Sequence, residues 1–319
     1  MKLLVIILNY KTTQLTIDCL RSLEAEIATR PDAAVVVVEN GSEDGAEQRL
    51  REAIIDRGWN SWVELIPLDR NIGFTAGNNL VIRRALEASD PPEYFLLLNS
   101  DTVVLPGAVD ALVRSLAERP RAGIAGSRLE YPTGSVQGSP FRFHGIVSEL
   151  DRGLAIGIFS KVAAGWTMYR PKPSSAIPVD WVAGASMLIR REMVASIGLL
   201  DEGFFAYFED MDYCRTAARH GWQTWYVPES RVIHIEGASS QIRPGPYLSP
   251  PAYWFAARRR YFRKNYGAVH VMLVDVIFIF GCSLGYIYSI LRRRQAVPSL
   301  DKLKDAVRQS VFAAGLGRL

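Results

Sequence analysis

Three carboxylates fall within four positions of Phe204-Phe-Ala-Tyr-Phe-Glu-Asp-Met-Asp212, among aromatic and apolar neighbours. Acids this close repel and raise one another's pKa unless a cation or donor relieves them, which is one way to make a general base. The same acids suit the first turn of a helix, since Tyr213 to His220 has a helical pattern before Gly221 and a helix N-terminus favours negative charge. Local spacing leaves base and cap both open. A second candidate is Asn99-Ser-Asp101, which follows the apolar run Tyr94-Phe-Leu-Leu-Leu. A carboxylate at a strand end can hold a divalent ion against phosphate oxygens, or simply cap a turn. His234, in Arg231-Val-Ile-His-Ile-Glu after a turn at Pro228, joins such a site only if the fold brings it beside Asp101. His144, His220 and His270 carry no comparable support.

Strands must deliver these groups. Leu3 to Leu8, Val35 to Val38 and Tyr94 to Leu98 are short apolar runs rich in β-branched and aromatic residues, as suits strands buried on both faces of a parallel sheet. Between them, Thr12 to Leu23 sets Leu15, Cys19, Leu20 and Leu23 on one helical face behind candidate capping threonines, and Ala46 to Ile55 repeats the pattern after Asp44. Strand and helix in alternation predict a doubly wound, mostly parallel, Rossmann-like α/β sheet whose ligand sits beyond the strands' carboxyl ends. The loops there read Asn9-Tyr10, Glu39-Asn-Gly-Ser, Asn71 to Asn79 and Asn99-Ser-Asp, with no Gly-rich dinucleotide or Walker loop after the first strand. Residues 120–180, Gly- and Pro-rich with weak periodicity, read as a loop-rich excursion near the site, and Trp181 to Ser240 as a second patterned block.

With 49% hydrophobic and 22% charged residues and no low-complexity run, the chain is folded, not disordered or fibrous. Cys19, Cys214 and Cys282 stand far apart without a CxxC, against a disulfide framework or a thiolate zinc site and in favour of a reducing compartment. The net charge of +4 is unevenly spread, for residues 258–319 hold twelve Lys and Arg against three Asp and Glu. There Tyr253 to Lys264 interleaves aromatics with Arg, Val269 to Leu291 is apolar apart from His270 and Asp275, and Arg292-Arg-Arg294 closes it. An amphipathic segment follows with Leu300, Leu303, Val307, Val311 and Phe312 at helical spacing. The apolar run is long enough to span a bilayer, but basic clusters at both ends suit a helix resting on one anionic leaflet better than a simple span; a core helix is the other reading. No nucleic-acid fold signature accompanies the basic patch, so nucleic acid is not the expected partner.

The ordered set Val5-Ile-Ile-Leu-Asn-Tyr-Lys, Val37-Val-Glu-Asn-Gly-Ser-Glu-Asp, Asn71-Ile-Gly-Phe-Thr-Ala-Gly-Asn-Asn, Leu97-Leu-Asn-Ser-Asp-Thr and Trp181-Val-Ala-Gly-Ala resembles family 2 glycosyltransferases. Gly198-Leu-Leu-Asp-Glu-Gly-Phe-Phe, Phe208-Glu-Asp-Met-Asp-Tyr-Cys and Gly221-Trp resemble its rhamnosyltransferase-like branch, so the likeness covers roughly residues 1–265. It implies a GT-A catalytic domain over 1–257, with a nucleotide-sugar half to about 105 and an acceptor half from 106; the charge and hydropathy pattern adds a helical membrane-associating region over 258–319. Donor contacts fall on Asn9, Glu39, Asn40, Asn71, Gly73, Asn78, Asn99 and Asp101, with Glu39 where the family more often has Asp. The DxD motif falls on Asn99-Ser-Asp101, so only Asp101 gives a charged ligand to Mg²⁺ or Mn²⁺, and His234 matches a late His that completes the metal site. The ED motif assigns Asp210 as general base with Glu209 in support, and Trp181 and Gly184 fall on the acceptor side.

The activity so implied is inverting transfer of a sugar from a nucleotide-sugar donor, with dTDP-L-rhamnose the leading expectation, to a glycan or polyprenyl-linked acceptor at the cytoplasmic face of a membrane. Galactofuranose, glucose or N-acetylglucosamine from a UDP donor is the alternative sugar, and a non-catalytic nucleotide-sugar-binding membrane module the alternative class. The absence of a QxxRW-type motif and of several apolar spans disfavours a processive synthase.

Overall fold

The apolar run at the N-terminus forms β1 (Leu3–Asn9), buried along its whole length. It is followed by α1 (Thr13–Ala28), β2 (Ala33–Asn40), α2 (Ala46–Asp56), β3 (Val63–Leu68), α3 (Phe74–Leu86) and β4 (Tyr94–Asn99). β1 pairs in parallel with both β2 and β4, and β2 with β3. Strands this apolar need cover on both faces; one is covered by the α1 residues Cys19, Leu20 and Leu23, which join Val5, Ile7, Val35 and Leu96 in the main core. The expected capping by Thr12 is not what the structure uses: its hydroxyl reaches Asn9 and Ser100 instead of the helix backbone.

This is a computed structural model, and it describes residues 2–138, 140–168, 173–235, 250–291 and 300–315. Arg292–Arg294 and the last five residues of the expected 181–240 block lie outside these. After β4 come β5 (Thr102–Val104), α4 (Ala108–Ala117), β6 (Ala122–Glu130), α5 (Ile146–Leu154), α6 (Gly157–Val162), β7 (Ile177–Val179), β8 (Ser186–Arg190), α7 (Arg191–Ile197), α8 (Glu209–Arg219) and β9 (Gln223–His234). Then follow α9 (Ala252–Tyr266), α10 (Ala268–Leu291), α11 (Leu300–Arg308) and α12 (Val311–Ala314). The loop-rich expectation for 120–180 is therefore corrected. β6 was hidden because Gly123 and Gly126 break its apolar run, and both are required: a Cβ on either would collide with Met193 or Val182.

The sheet order is β3-β2-β1-β4-β8-β6-β9-β5, with β7 on β9. β8 runs antiparallel between β4 and β6, whereas β6 and β9 are parallel. Pro228 does not end a turn ahead of a short strand, as expected; β9 runs through it, and the register with β6 jumps from Ser127–Val227 to Arg128–Arg231. An irregularity there removes the ladder hydrogen bond that Pro cannot donate.

Two compact units result. The first gathers Met1–Pro140, Pro171–Phe205 and Glu209–Gln241 and holds the sheet; the second gathers Phe141–Arg170, Ala206–Phe208 and Ile242–Leu319 and is helical. Within the second, α5 packs on α10 so closely that a Cβ on Gly153 or Gly281 would meet the opposite backbone.

Candidate active site

The carboxyl ends of β1, β2 and β4 lie side by side, with Asn9 opposite Glu39 and Leu8 opposite Asn99. The loop polar groups there divide into those that build the surface and those left with a free atom. Asn9 is fully buried; its Oδ1 accepts from Thr16 and Thr12 and its Nδ2 donates to Ser42. Both Glu39 oxygens accept backbone N–H groups, of Gly41 and Ser42. Asn9 and Glu39, expected to contact the donor, thus also shape the loops at these strand ends.

Asn40 bonds Asn71, Ile72 and Gly73, and Asn71 Oδ1 accepts from Gly73 N, so the β2 and β3 loops are one unit. Gly73, at φ 90°, would place a Cβ 2.6 Å from Phe205 O, so only Gly fits. In α3, Asn78 donates to Phe74 O, but its Oδ1 and the Thr75 hydroxyl are buried without a partner. Buried polar atoms are nearly always paired, and these two lie in the first turns of α3, directly after the Asn71–Gly73 loop.

The register Thr102–His234 and the bond from Ile235 N to Asp101 O place Asp101 beside His234. Asp101 Oδ1 lies 3.4 Å from His234 Nε2 and is buried without a hydrogen bond. Asn99 Nδ2 makes a long 3.4 Å contact to the same Nε2. Gln137, which sequence reading passed over, clamps the ring: its Nε2 donates to His234 O at 2.6 Å, leaving its Oε1 to face Nδ1 at 3.2 Å. Nδ1 then carries a ring hydrogen, and in the neutral imidazole Nε2 is the nitrogen left with a lone pair, on the side of the carboxylate. An orphaned carboxylate oxygen beside an imidazole lone pair fits a divalent cation. No group of three or more His, Cys, Asp or Glu able to hold a metal occurs among the described residues; Asp101 and His234 are a pair.

The acids at 209–212 open α8, so the helix-terminus geometry is real. Just before it, Tyr207 and Phe208 have φ of 71° and 67°, a conformation that costs bulky residues about 1–3 kcal/mol each. Asp210 is half-buried, its Oδ2 accepting from Gly184 N at 3.0 Å and Oδ1 from Met211 N at 2.7 Å. Burial raises its pKa, and those two N–H groups oppose the rise. Gly184, expected on the acceptor side, thus holds Asp210 by its backbone, and Trp181 is 9% exposed and presents little ring face to a sugar.

Glu209 differs: its Oε2 is buried with no hydrogen-bond partner, and burial, with the charges of Asp210 and Asp212 added, lifts its carboxyl well above the ordinary range. A proton held more tightly folded than unfolded stabilises below the ordinary Glu pKa, and that stabilisation is lost as pH rises through the raised value. Glu209→Gln is accordingly expected to melt higher than wild type at about pH 8 and to converge with it at about pH 4. Coincident melting curves at the higher pH would mean that the carboxylate is not destabilised by burial.

A cavity of about 410 Å³ also opens beside Asp101, lined by Leu15, Asp18, Arg21, Ser22, Thr102 and Ile235 among others. Asp101 alone of the donor-side set borders it.

Comparison with known proteins places this geometry. The fold aligns with the crystal structure of GalNAc-T7 with UDP, GalNAc and Mn²⁺ at a TM-score of 0.61 and 14% identity, covering 98% of this chain and 57% of that one; the architecture is GT-A. Residues 2–267 match "Glycosyltransferase like family 2", and the chain belongs to that family of enzymes. It is 31% identical over 237 residues, 70% of this chain and 73% of the relative, to the N-acetylglucosaminyl-diphospho-decaprenol L-rhamnosyltransferase of Mycobacterium tuberculosis. It is also 22% identical over 249 residues, 76% and 75% of the two chains, to dTDP-rhamnosyl transferase RfbF of Shigella flexneri.

Proposed function

We propose that the protein transfers L-rhamnose from dTDP-L-rhamnose, with inversion, to a glycan or polyprenyl-linked acceptor in cell-surface polysaccharide synthesis, working at the cytoplasmic face of the membrane. The observation that carries the chemistry is Asp210, half-buried, held by two backbone N–H groups and raised in pKa toward the range where a base works. Asp210 Oδ takes the proton of the acceptor hydroxyl, whose oxygen attacks the anomeric carbon from the face opposite the departing nucleoside diphosphate. One base and one displacement invert the configuration. The choice of rhamnose and of a lipid-linked acceptor follows the names of the two relatives.

Asp101 and His234 would hold Mg²⁺ or Mn²⁺, which when bound neutralises charge on the departing diphosphate. Mg²⁺-type sites are commonly completed by substrate phosphates and water, which fits a site with two protein ligands. The Asn40–Asn71–Gly73 lattice, the first turn of α3 and Asn99 would receive the donor.

A thermal-shift panel of dTDP- and UDP-sugars, each with and without Mn²⁺, tests the reading. The expected result is the largest shift with dTDP-rhamnose plus Mn²⁺; preference for a UDP-sugar would replace the donor assignment, and no shift with any would remove the transferase reading of the site. Gln137→Leu tests the clamp on His234. Loss of partners that orient a metal-bound His typically costs about 10–100-fold in metal affinity, so Mn²⁺ in the presence of dTDP should bind at least about tenfold more weakly while the fold melts unchanged. Unaltered Mn²⁺ affinity would separate Gln137 from the site.

A further inference from the structure

Fourteen of the eighteen exposed large apolar side chains among the described residues belong to the helical unit. Six of them, Val269, Leu273, Val276, Phe280, Leu284 and Ile287, recur every three or four residues along α10 and form one continuous stripe. Over 18 residues at about 1.5 Å each, that stripe runs about 27 Å. Apolar surface on this scale is not left bare on a monomeric soluble protein. By length and hydropathy α10 passes as a membrane span.

The opposite face of α10 argues against spanning. Asp275 is buried and accepts from Arg258 of α9, which also pairs with Glu149 of α5 at 2.6 Å. Burial alone would raise the Glu149 carboxyl, but the Arg258 charge, with the His144 hydrogen bond and the Arg152 charge, together override it and hold it low. The chain after α10 returns to the same place: Val311 N donates to the second Asp275 oxygen at 2.7 Å, Arg259 donates to Gln309 O, and Lys302 Nζ donates to Arg152 O. Ala306 and Leu303 of α11 pack on Phe278 and Cys282. A spanning α10 would carry Glu149, Arg258, Asp275 and Lys302 into hydrocarbon with it, or tear α11 and α12 from it; each buried charge is costly there.

We propose that α10 lies in the plane of one anionic leaflet, its Val269–Ile287 stripe in the acyl region, and does not cross the bilayer. This rests on the membrane reading above and names its surface and mode. The charge pattern selects lipid over a second copy as the occupant. Arg263 and Lys264 are exposed just before α10, and the sequence places Arg292–Arg294 just after it, so both ends of the stripe carry cations suited to anionic headgroups. A self-pairing stripe would bring these like charges together.

The test uses the full chain and vesicles of phosphatidylglycerol and phosphatidylcholine. Wild type should float with the vesicles, and Val276→Glu with Phe280→Glu, both at exposed positions, should lose at least tenfold in vesicle partition while remaining folded and donor-binding. In sealed inverted membranes from producing cells, a C-terminal tag should be fully open to added protease. A protected tag on membrane-bound protein overturns the in-plane mode but leaves membrane binding standing, whereas wild type that fails to float removes the membrane reading itself. A wild-type dimer that the double variant makes monomeric, with no flotation by either, assigns the stripe to a second copy and overturns the proposal.

Discussion

Asp210→Asn is expected to reduce turnover by about 10²–10⁴-fold, the usual contribution of a positioned acid or base, while donor affinity stays within twofold of wild type. The asymmetry follows from the geometry. Asn keeps an oxygen for the Gly184 or Met211 N–H and so keeps the loop in place, but it cannot accept a proton. An effect confined to turnover identifies an interaction made in the transition state, not in ground-state binding. The pH profile supplies a second reading of the same group. Because burial raises the Asp210 pKa, the rate should fall on acidification at a pH above the ordinary Asp range. Glu209→Gln should leave that limb nearly in place, because a carboxyl raised that far by burial and by the Asp210 charge is already neutral where Asp210 titrates, and it should not bring the large loss of rate. Near-normal turnover in Asp210→Asn would remove the residue from the role and turn attention to Glu209.

The parallel half of the sheet was legible because β1, β2 and β4 are buried on both faces and therefore read as unbroken apolar runs. Its consequence, a set of polar loops at the strand ends, was legible too. What single residues do in those loops was not. Asn9 and Glu39 carry polar chemistry at the strand ends, and their atoms also bond Thr16, Gly41 and Ser42, because buried polar groups must find partners. A sequence shows donors and acceptors but not which are already paired. Gln137 was invisible for a related reason: it sits 97 residues from His234 in a stretch without periodicity, and only the β9 register brings the two together. Trp181 and Gly184 show the opposite limit, since an indole reads as a sugar platform until its burial is known.

Asp101→Ala should have the second large effect, on binding and turnover together. Asp101 is the one charged candidate ligand; His234 contributes a neutral lone pair, and Asn99 no charge. Partners that only orient a ligand cost about 10–100-fold in metal affinity when removed, so loss of the charged ligand should cost at least about 100-fold in Mn²⁺ binding measured with dTDP present. Donor affinity should fall with it, because the ion and the diphosphate complete one another's coordination. His234→Ala should produce a smaller loss of the same kind, and the double variant should lose less than the two single losses combined, as residues sharing one partner are not additive. The folded state should tolerate Asp101→Ala, for the buried Oδ1 has no hydrogen bond to lose and its contact with His234 Nε2 is a long one of 3.4 Å. A variant that melts near the wild-type temperature yet binds neither Mn²⁺ nor donor is therefore the expected signature of a ligand. If wild-type turnover survives chelation of divalent ions, the cation is not needed, and the buried Asp101–His234 pair must be read as a device for positioning the end of β9.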